Sequence, residues 1–269
     1  DHRKQLADLA QDTGCDESRI PALKQLLLQA AKDAAQEAGL EGRSGILADS
    51  TYGQRTLNAI TGQGWWIGRP IELPGSRPLR LEHGDIGSQL ASWPLEHVVK
   101  CLVFYHPHDP AALREQQDAL LLEVWRACQQ SGHELLLEVI LPENGPDKDQ
   151  QHYHTMLAHF YQLGIKPDWW KLPPLASAHW QAISALIEKE DPYCRGILLL
   201  GLDAPQEQLR EGFTEAATHP IIKGFAVGRT IFGQPSRRWM QGELSDEALV
   251  REVKNNYLTL INFWREARR

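Results

Sequence analysis

Seven short apolar runs, each followed by a longer helical pattern, limit what this chain can fold into more than any other feature. They are "SGILADS" (44–50), "GWWIGRPIEL" (64–73), "HVVKCLVFY" (97–105), "ELLLEVILP" (134–142), "DWWKLPP" (168–174), "GILLLGLD" (196–203) and "IKGFAVGR" (222–229). Such alternation is the layout of βα units, because parallel strands need a crossover long enough to hold a helix. The 269 residues suit one α/β barrel, and no linker, repeat or low-complexity stretch divides them. The expectation is a single (β/α)8 TIM barrel over residues 1–269 with seven of its eight strands visible.

The intervening patterns predict helices with recognisable ends. In "PAALREQQDALLLEVWRACQQSG" Asp109 is expected to cap, Pro110 to take the first helical position and Gly132 to close. "IPALKQLLLQAAKDAAQEAG" and "SDEALVREVKNNYLTLINFWREARR" predict a leading and a trailing helix, the latter begun by Ser245. Residues 73–94, rich in Pro, Gly and charge, read as a long loop with a short helix.

Charge and cysteine usage exclude several classes. A net charge of −7 argues against a nucleic-acid or anionic-membrane binder, which needs a basic face. Any anionic ligand then requires a local cluster of cations and backbone N–H groups. The four cysteines are scattered, without a CxxC pair, and favour a reducing cytoplasmic setting. Neither a signal-peptide pattern nor an apolar run near 18 residues is present.

In a barrel, polar residues near the carboxyl ends of strands project into the active site. Six runs carry charge there: Asp49, Arg69 with Glu72, Lys100, Glu138, Lys171 and Arg229. An unpaired charge in such surroundings is costly, and pairing around one pocket relieves the cost. Lys100, Glu138 and Lys171 fall on three successive predicted strands. A lysine attacks a carbonyl only as the free amine, which burial and a second nearby cation both favour. The resulting iminium draws electrons from a carbon–carbon bond two atoms away, given a carboxylate to move protons. Lys171 has the apolar setting, Lys100 is the neighbouring cation and Glu138 the carboxylate. A structural lysine–glutamate ion pair is the plainer alternative.

Other features are weaker. Gly201 in "LLLGLDAPQEQL", and Gly228 with Arg229 in "FAVGRTIFG", lie at strand-to-helix turns that suit phosphate, or serve only as tight connections. His152 and His154 stand two apart, so on a helix they diverge and read as surface residues rather than metal ligands. His106 and His108 follow a strand end and at most line a pocket rim. Arg69 suits bidentate binding of a substrate carboxylate, or pairs with Glu72 or Asp49.

These residues resemble a known family. "ILADSTYGQRTL" is similar to the "DPEYG" segment of class I tagatose-1,6-bisphosphate and sulfofructosephosphate aldolases, "VVKCLVFYHP" to their "VK-LLYY" strand and "LLLEVILP" to "LLEPL". "WWKLPP" resembles their "KVEVP" Schiff-base strand, and "GFAVGRTIF" the "GRATW" phosphate strand. More closely, residues 46–79 look like the domain fused behind 5-dehydro-2-deoxygluconokinase in bacterial inositol catabolism. The resemblance implies Lys171 as the Schiff-base lysine, Glu138 as the proton-transfer carboxylate, Lys100 as partner cation, and phosphate held by Gly201, Gly228 and Arg229. The family's first strand ends in "FDQRG", so Asp1 is implied as a further acid/base group and Arg3 as a binding residue, with the strand itself before residue 1. Two family carboxylates are replaced, in "DSTYG" and "KLPP".

The implied activity is cleavage of a keto-sugar-acid phosphate, 2-deoxy-5-keto-gluconate 6-phosphate, to dihydroxyacetone phosphate and malonate semialdehyde. Asp49 and Arg69 are expected to contact substrate, and no metal or cofactor is expected. The expected partners are the phosphorylated sugar acid and an N-terminal sugar kinase domain, with neither nucleic acid nor membrane; a homo-oligomer is compatible. A silent sugar-phosphate-binding barrel that regulates or scaffolds the kinase is the rival reading.

Overall fold

The computed structural model describes residues 3–269. Each of the seven apolar runs contains one strand, and strand order follows chain order. The strand expected before residue 1 lies outside the described residues. The described residues form two compact units, one of residues 3–69, Gly201–Glu211 and Val227–Arg269, the other of Pro70–Leu200 and Gly212–Ala226.

The first unit holds α1 (Arg3–Asp12), α2 (Ile20–Glu37), β1 (Gly45–Leu47), α3 (Gln54–Ile60), most of β2 (Trp66–Pro70), α9 (Arg229–Met240) and α10 (Asp246–Ala267). β1 and β2 are parallel, with Ile46 opposite Ile67. Leu28, Ala48, Leu57, Ile60 and Ile67 form one buried cluster, joined by Ile46 and Trp65. Alternation along β1 and the 3–4 spacing on α3 deliver those side chains to a common core. α10 packs on α2 and α9. It begins as expected, with Ser245 accepting the Ala248 N–H at 3.2 Å.

The second unit holds α4 (Ile86–Leu90), β3 (His97–Phe104), α5 (Ala111–Ser131), β4 (Leu135–Ile140), α6 (Gln151–Gln162), β5 (Trp169–Leu172), α7 (Ser177–Glu190), β6 (Gly196–Leu200) and β7 (Ile222–Ala226). The remaining helix, α8 (Gln206–Ala217), is divided between the units. Strands β3 to β7 pair in parallel with their sequence neighbours. Leu135, Leu137, Val139, Trp170 and Leu172 are all buried. Trp170 packs against Phe160 and Tyr161 of α6, and its indole N–H donates to the Tyr161 hydroxyl at 2.9 Å. Full burial of such side chains stabilises by about 1.5–3 kcal/mol each.

One predicted helix start is corrected. α5 begins at Ala111, and Pro110, extended at φ −51° and ψ 137°, stands at the cap without a side-chain bond. Asp109 is directed elsewhere: it accepts the His106 N–H at 3.1 Å and pairs with Arg77. Gly132 closes the helix in the left-handed region at φ 79°, as expected.

Candidate active site

Side chains two apart share a face of a strand, and register decides which of them meet across strands. Glu138 on β4 lies directly opposite Lys171 on β5. On β3, Lys100 lies opposite Leu136, two residues before Glu138 and on the same face of β4. The three charged groups therefore converge. Lys100 Nζ is 3.0 Å from Glu138 Oε2, and Lys171 Nζ is 3.1 Å from Glu138 Oε1. All three residues are buried.

A fourth member, Glu72, was visible in sequence as a strand-end charge but received no role there. Its Oε1 lies 2.5 Å from Lys100 Nζ. The backbone around it is pinned on both sides: Ile71 N–H donates to the Lys100 carbonyl at 3.0 Å, and Leu73 N–H to the Arg80 carbonyl at 2.8 Å. The result is a row of alternating charge: Glu72, Lys100, Glu138, Lys171.

Each contact near 3 Å carries about 5 kcal/mol of gross attraction at an effective dielectric near 20. Removing an ion from water costs several kcal/mol. The row neutralises itself without adding much stability, so stability alone does not explain four buried charges. Unequal sharing sets the protonation states. Burial would lower Lys100, but Glu138 and Glu72 outweigh it and push it above the ordinary lysine value. Burial would raise Glu138, but Lys100 and Lys171 hold it down to about 2. Lys171 is lowered by burial and by the Lys100 charge, against the opposing pull of Glu138. The arrangement thus keeps one lysine cationic and makes the other the readier source of a free amine.

The remaining predicted residues in the described chain belong to the first unit and make their own contacts there. Asp49 is buried, pairs with Lys24 of α2 and accepts the Tyr52 N–H at 2.7 Å. Arg69 donates to the Ser50 hydroxyl from Nη2 at 2.7 Å and from Nε at 3.2 Å. Arg3 is buried. Arg229 Nη1 pairs with Asp203 at 3.0 Å. A Cβ at Gly201 would stand 3.0 Å from a Val227 methyl, so close packing already accounts for this glycine. Gly228 is the residue immediately before α9. Asp1 lies outside the described residues.

Sequence reasoning missed Lys24, although the signal was there. It follows Leu23 and sits four residues from both Ile20 and Leu28, on the buried stripe of α2. It also misjudged His106, which is fully buried rather than on a rim.

The fold is that of aldolase barrels. A Plasmodium falciparum fructose-bisphosphate aldolase, solved with TRAP and a small-molecule inhibitor, aligns with a TM-score of 0.66 at 9% identity over 96% of this chain and 86% of that one. An archaeal fructose 1,6-bisphosphate aldolase aligns at 0.56 and 12% identity, over 86% and 82% of the two chains. Cgl0159 of Corynebacterium glutamicum aligns at 0.56 and 15% identity, over 89% and 77%. At such identities the likeness shows the fold alone. The chain itself belongs to the family described as "uncharacterized protein conserved in bacteria" (DUF2090), whose model matches residues 1–268. No curated protein matches it. Among the described residues, no helix is long and apolar enough to cross a membrane.

Proposed function

We propose that this protein is a Schiff-base aldolase with Lys171 as its nucleophile. The observation that carries the reading is Glu138, a single buried carboxylate shared between Lys100 at 3.0 Å and Lys171 at 3.1 Å. Lys171 can surrender a proton while Glu138 keeps Lys100 as its contacting cation, so the free amine forms without leaving Glu138 unpaired.

The substrate proposed from the motif resemblance is 2-deoxy-5-keto-gluconate 6-phosphate, in inositol catabolism. The Lys171 amine adds to the C5 ketone, and water leaves to give a protonated iminium. A base removes the C3 hydroxyl proton. The C3–C4 electron pair then moves toward the iminium, forming an enamine and releasing malonate semialdehyde. Protonation at C4 and hydrolysis free dihydroxyacetone phosphate and regenerate the amine. Glu138, in contact with the reacting nitrogen, is the proton carrier. Asp49, Arg69 and Arg229 are proposed to contribute to substrate binding, with Asp1, Arg3 and the two glycines in the roles the resemblance implies. A sugar kinase domain of the same polypeptide is the partner the resemblance favours.

The test is dihydroxyacetone phosphate release from this substrate by the intact protein, with and without chelator. Turnover in both conditions that vanishes in Lys171→Met supports the reading. Full activity in that variant contradicts it, and tight binding without turnover points to a silent regulatory barrel.

A further inference from the structure

We propose a binding site for a divalent cation of the zinc class, built from His106, Asp147 and His152 where the loops after β3 and β4 meet. The site lies outside the lysine–glutamate row and does not depend on the reaction assigned to it. His106 follows the end of β3, Asp147 lies between β4 and α6, and His152 is in the first turn of α6. Their ligating atoms all fall within 4.8 Å of one another.

His106 supplies the strongest indication. It is fully buried, and its Nε2 has no hydrogen-bond partner. That atom faces Asp147 Oδ1 at 3.9 Å, beyond hydrogen-bond reach. His152 Nε2 lies 2.5 Å from the same carboxylate oxygen. The His106 and His152 ring centroids are 4.6 Å apart. A buried orphan nitrogen is normally avoided because nothing replaces the water it has lost. A cation between the three groups would satisfy it.

Two imidazoles and one carboxylate are a borderline donor set, suited to zinc, cobalt or nickel rather than calcium or magnesium. Zinc bonds of 2.0–2.2 Å place tetrahedral ligand atoms about 3.4 Å apart. The present separations of 2.5 and 3.9 Å lie on either side of that value. Asp147, whose side chain is 49% exposed, can make the adjustment. The ring of His108 is centred 5.1 Å from that of His152 and 5.4 Å from that of His106.

One contact makes the site conditional. His106 Nδ1 accepts the His108 N–H at 3.1 Å, which puts the proton of the neutral ring on Nε2. Ligation through Nε2 moves that proton to Nδ1 and breaks the contact. Cation binding therefore reorders residues 106–108 and ties the loop after β3 to the start of α6.

The experiment is calorimetric titration of the chelator-stripped full chain with zinc, repeated with cobalt and read by visible absorption. One equivalent is expected to bind, with the intense cobalt bands of a tetrahedral or five-coordinate site. Asp147→Asn and His152→Gln are each expected to weaken binding at least tenfold. His154→Ala, on the same helix but outside the cluster, should leave it unchanged. Both weakening substitutions fall on residues with solvent access, so the test does not depend on replacing buried His106. Absence of stoichiometric binding, or equal affinity in the Asp147→Asn/His152→Gln double variant, overturns the proposal.

Discussion

Lys24 with Asp49 in one compact unit, and Lys171 with Glu138 in the other, are both buried lysine–carboxylate contacts, yet they differ in how counter-ions are shared. Burial lowers both lysines below the ordinary value. A lowered amine therefore does not distinguish them. Lys24 is the lysine in contact with Asp49, whose other oxygen takes the Tyr52 N–H. Deprotonating Lys24 would leave that buried carboxylate without its contacting lysine. Glu138 touches two lysines, and Lys100 touches two carboxylates. Lys171 at the end of the row can become neutral while every carboxylate still faces a cation. That terminal place in a shared row suits Lys171 as a nucleophile.

The most severe break in this comparison comes from paired substitutions. Lys171→Met should reduce turnover by about 10⁴-fold or more, the scale on which an essential nucleophile is lost. Its stability should fall by less than that of Lys24→Met, because Glu138 retains Lys100. Lys24→Met should lose about 3–5 kcal/mol as Asp49 is left buried without its lysine, and should keep the ability to form the Schiff base on Lys171. Activity assays with urea denaturation check both. Equal destabilisation by the two substitutions would erase the distinction.

Next in size is Glu138→Gln, which should lower kcat by about 10²–10⁴-fold by removing the proton carrier. A rise in KM alone would instead assign Glu138 to binding.

Subtler still are changes at the neighbours of the row, read from the pH dependence of Schiff-base formation. The reactive amine exists above the Lys171 pKa, so the rate falls as pH drops through it. Because burial lowers that pKa, the fall should lie below the range of an ordinary lysine. Lys100→Met removes a neighbouring cation and should move the fall to higher pH. Glu72→Gln removes an anion and should move it to lower pH. Shifts in the same direction would show that the two residues act only through packing.

The smallest effect is expected at Arg229. Its ion pair with Asp203 is substantially exposed, and such pairs contribute about 0–1 kcal/mol. Arg229→Ala should leave stability nearly unchanged. If the residue holds phosphate, KM rises while kcat is largely kept.

Much of this comparison was legible in the sequence because strands announce themselves locally. Each apolar run produced its strand, and Lys100, Glu138 and Lys171 stood out as charges inside such runs. Parallel pairing of sequence neighbours then brought them together. The roles of Glu72 and Lys24 were hidden for different reasons. Glu72 reaches Lys100 from the irregular segment after β2, whose path follows backbone bonds such as Glu82 N–H to the Ile71 carbonyl at 2.8 Å. Lys24 lies within a helix, where a lysine ordinarily faces water. The junction of His106 with His152 joins residues 46 positions apart in the chain, and no short motif encodes such a contact. The Asp109 cap was misread because a buried Asp109 has stronger partners in Arg77 and the His106 N–H.

The central claim is that Lys171 forms a Schiff base, and borohydride trapping tests it most directly. The protein would be incubated with dihydroxyacetone phosphate, reduced, digested and mapped by mass spectrometry. The account predicts one covalent adduct, on Lys171, that is absent from Lys171→Met and from samples without borohydride. An active protein that yields no adduct, or carries it on Lys100 or Lys24 instead, would contradict the account.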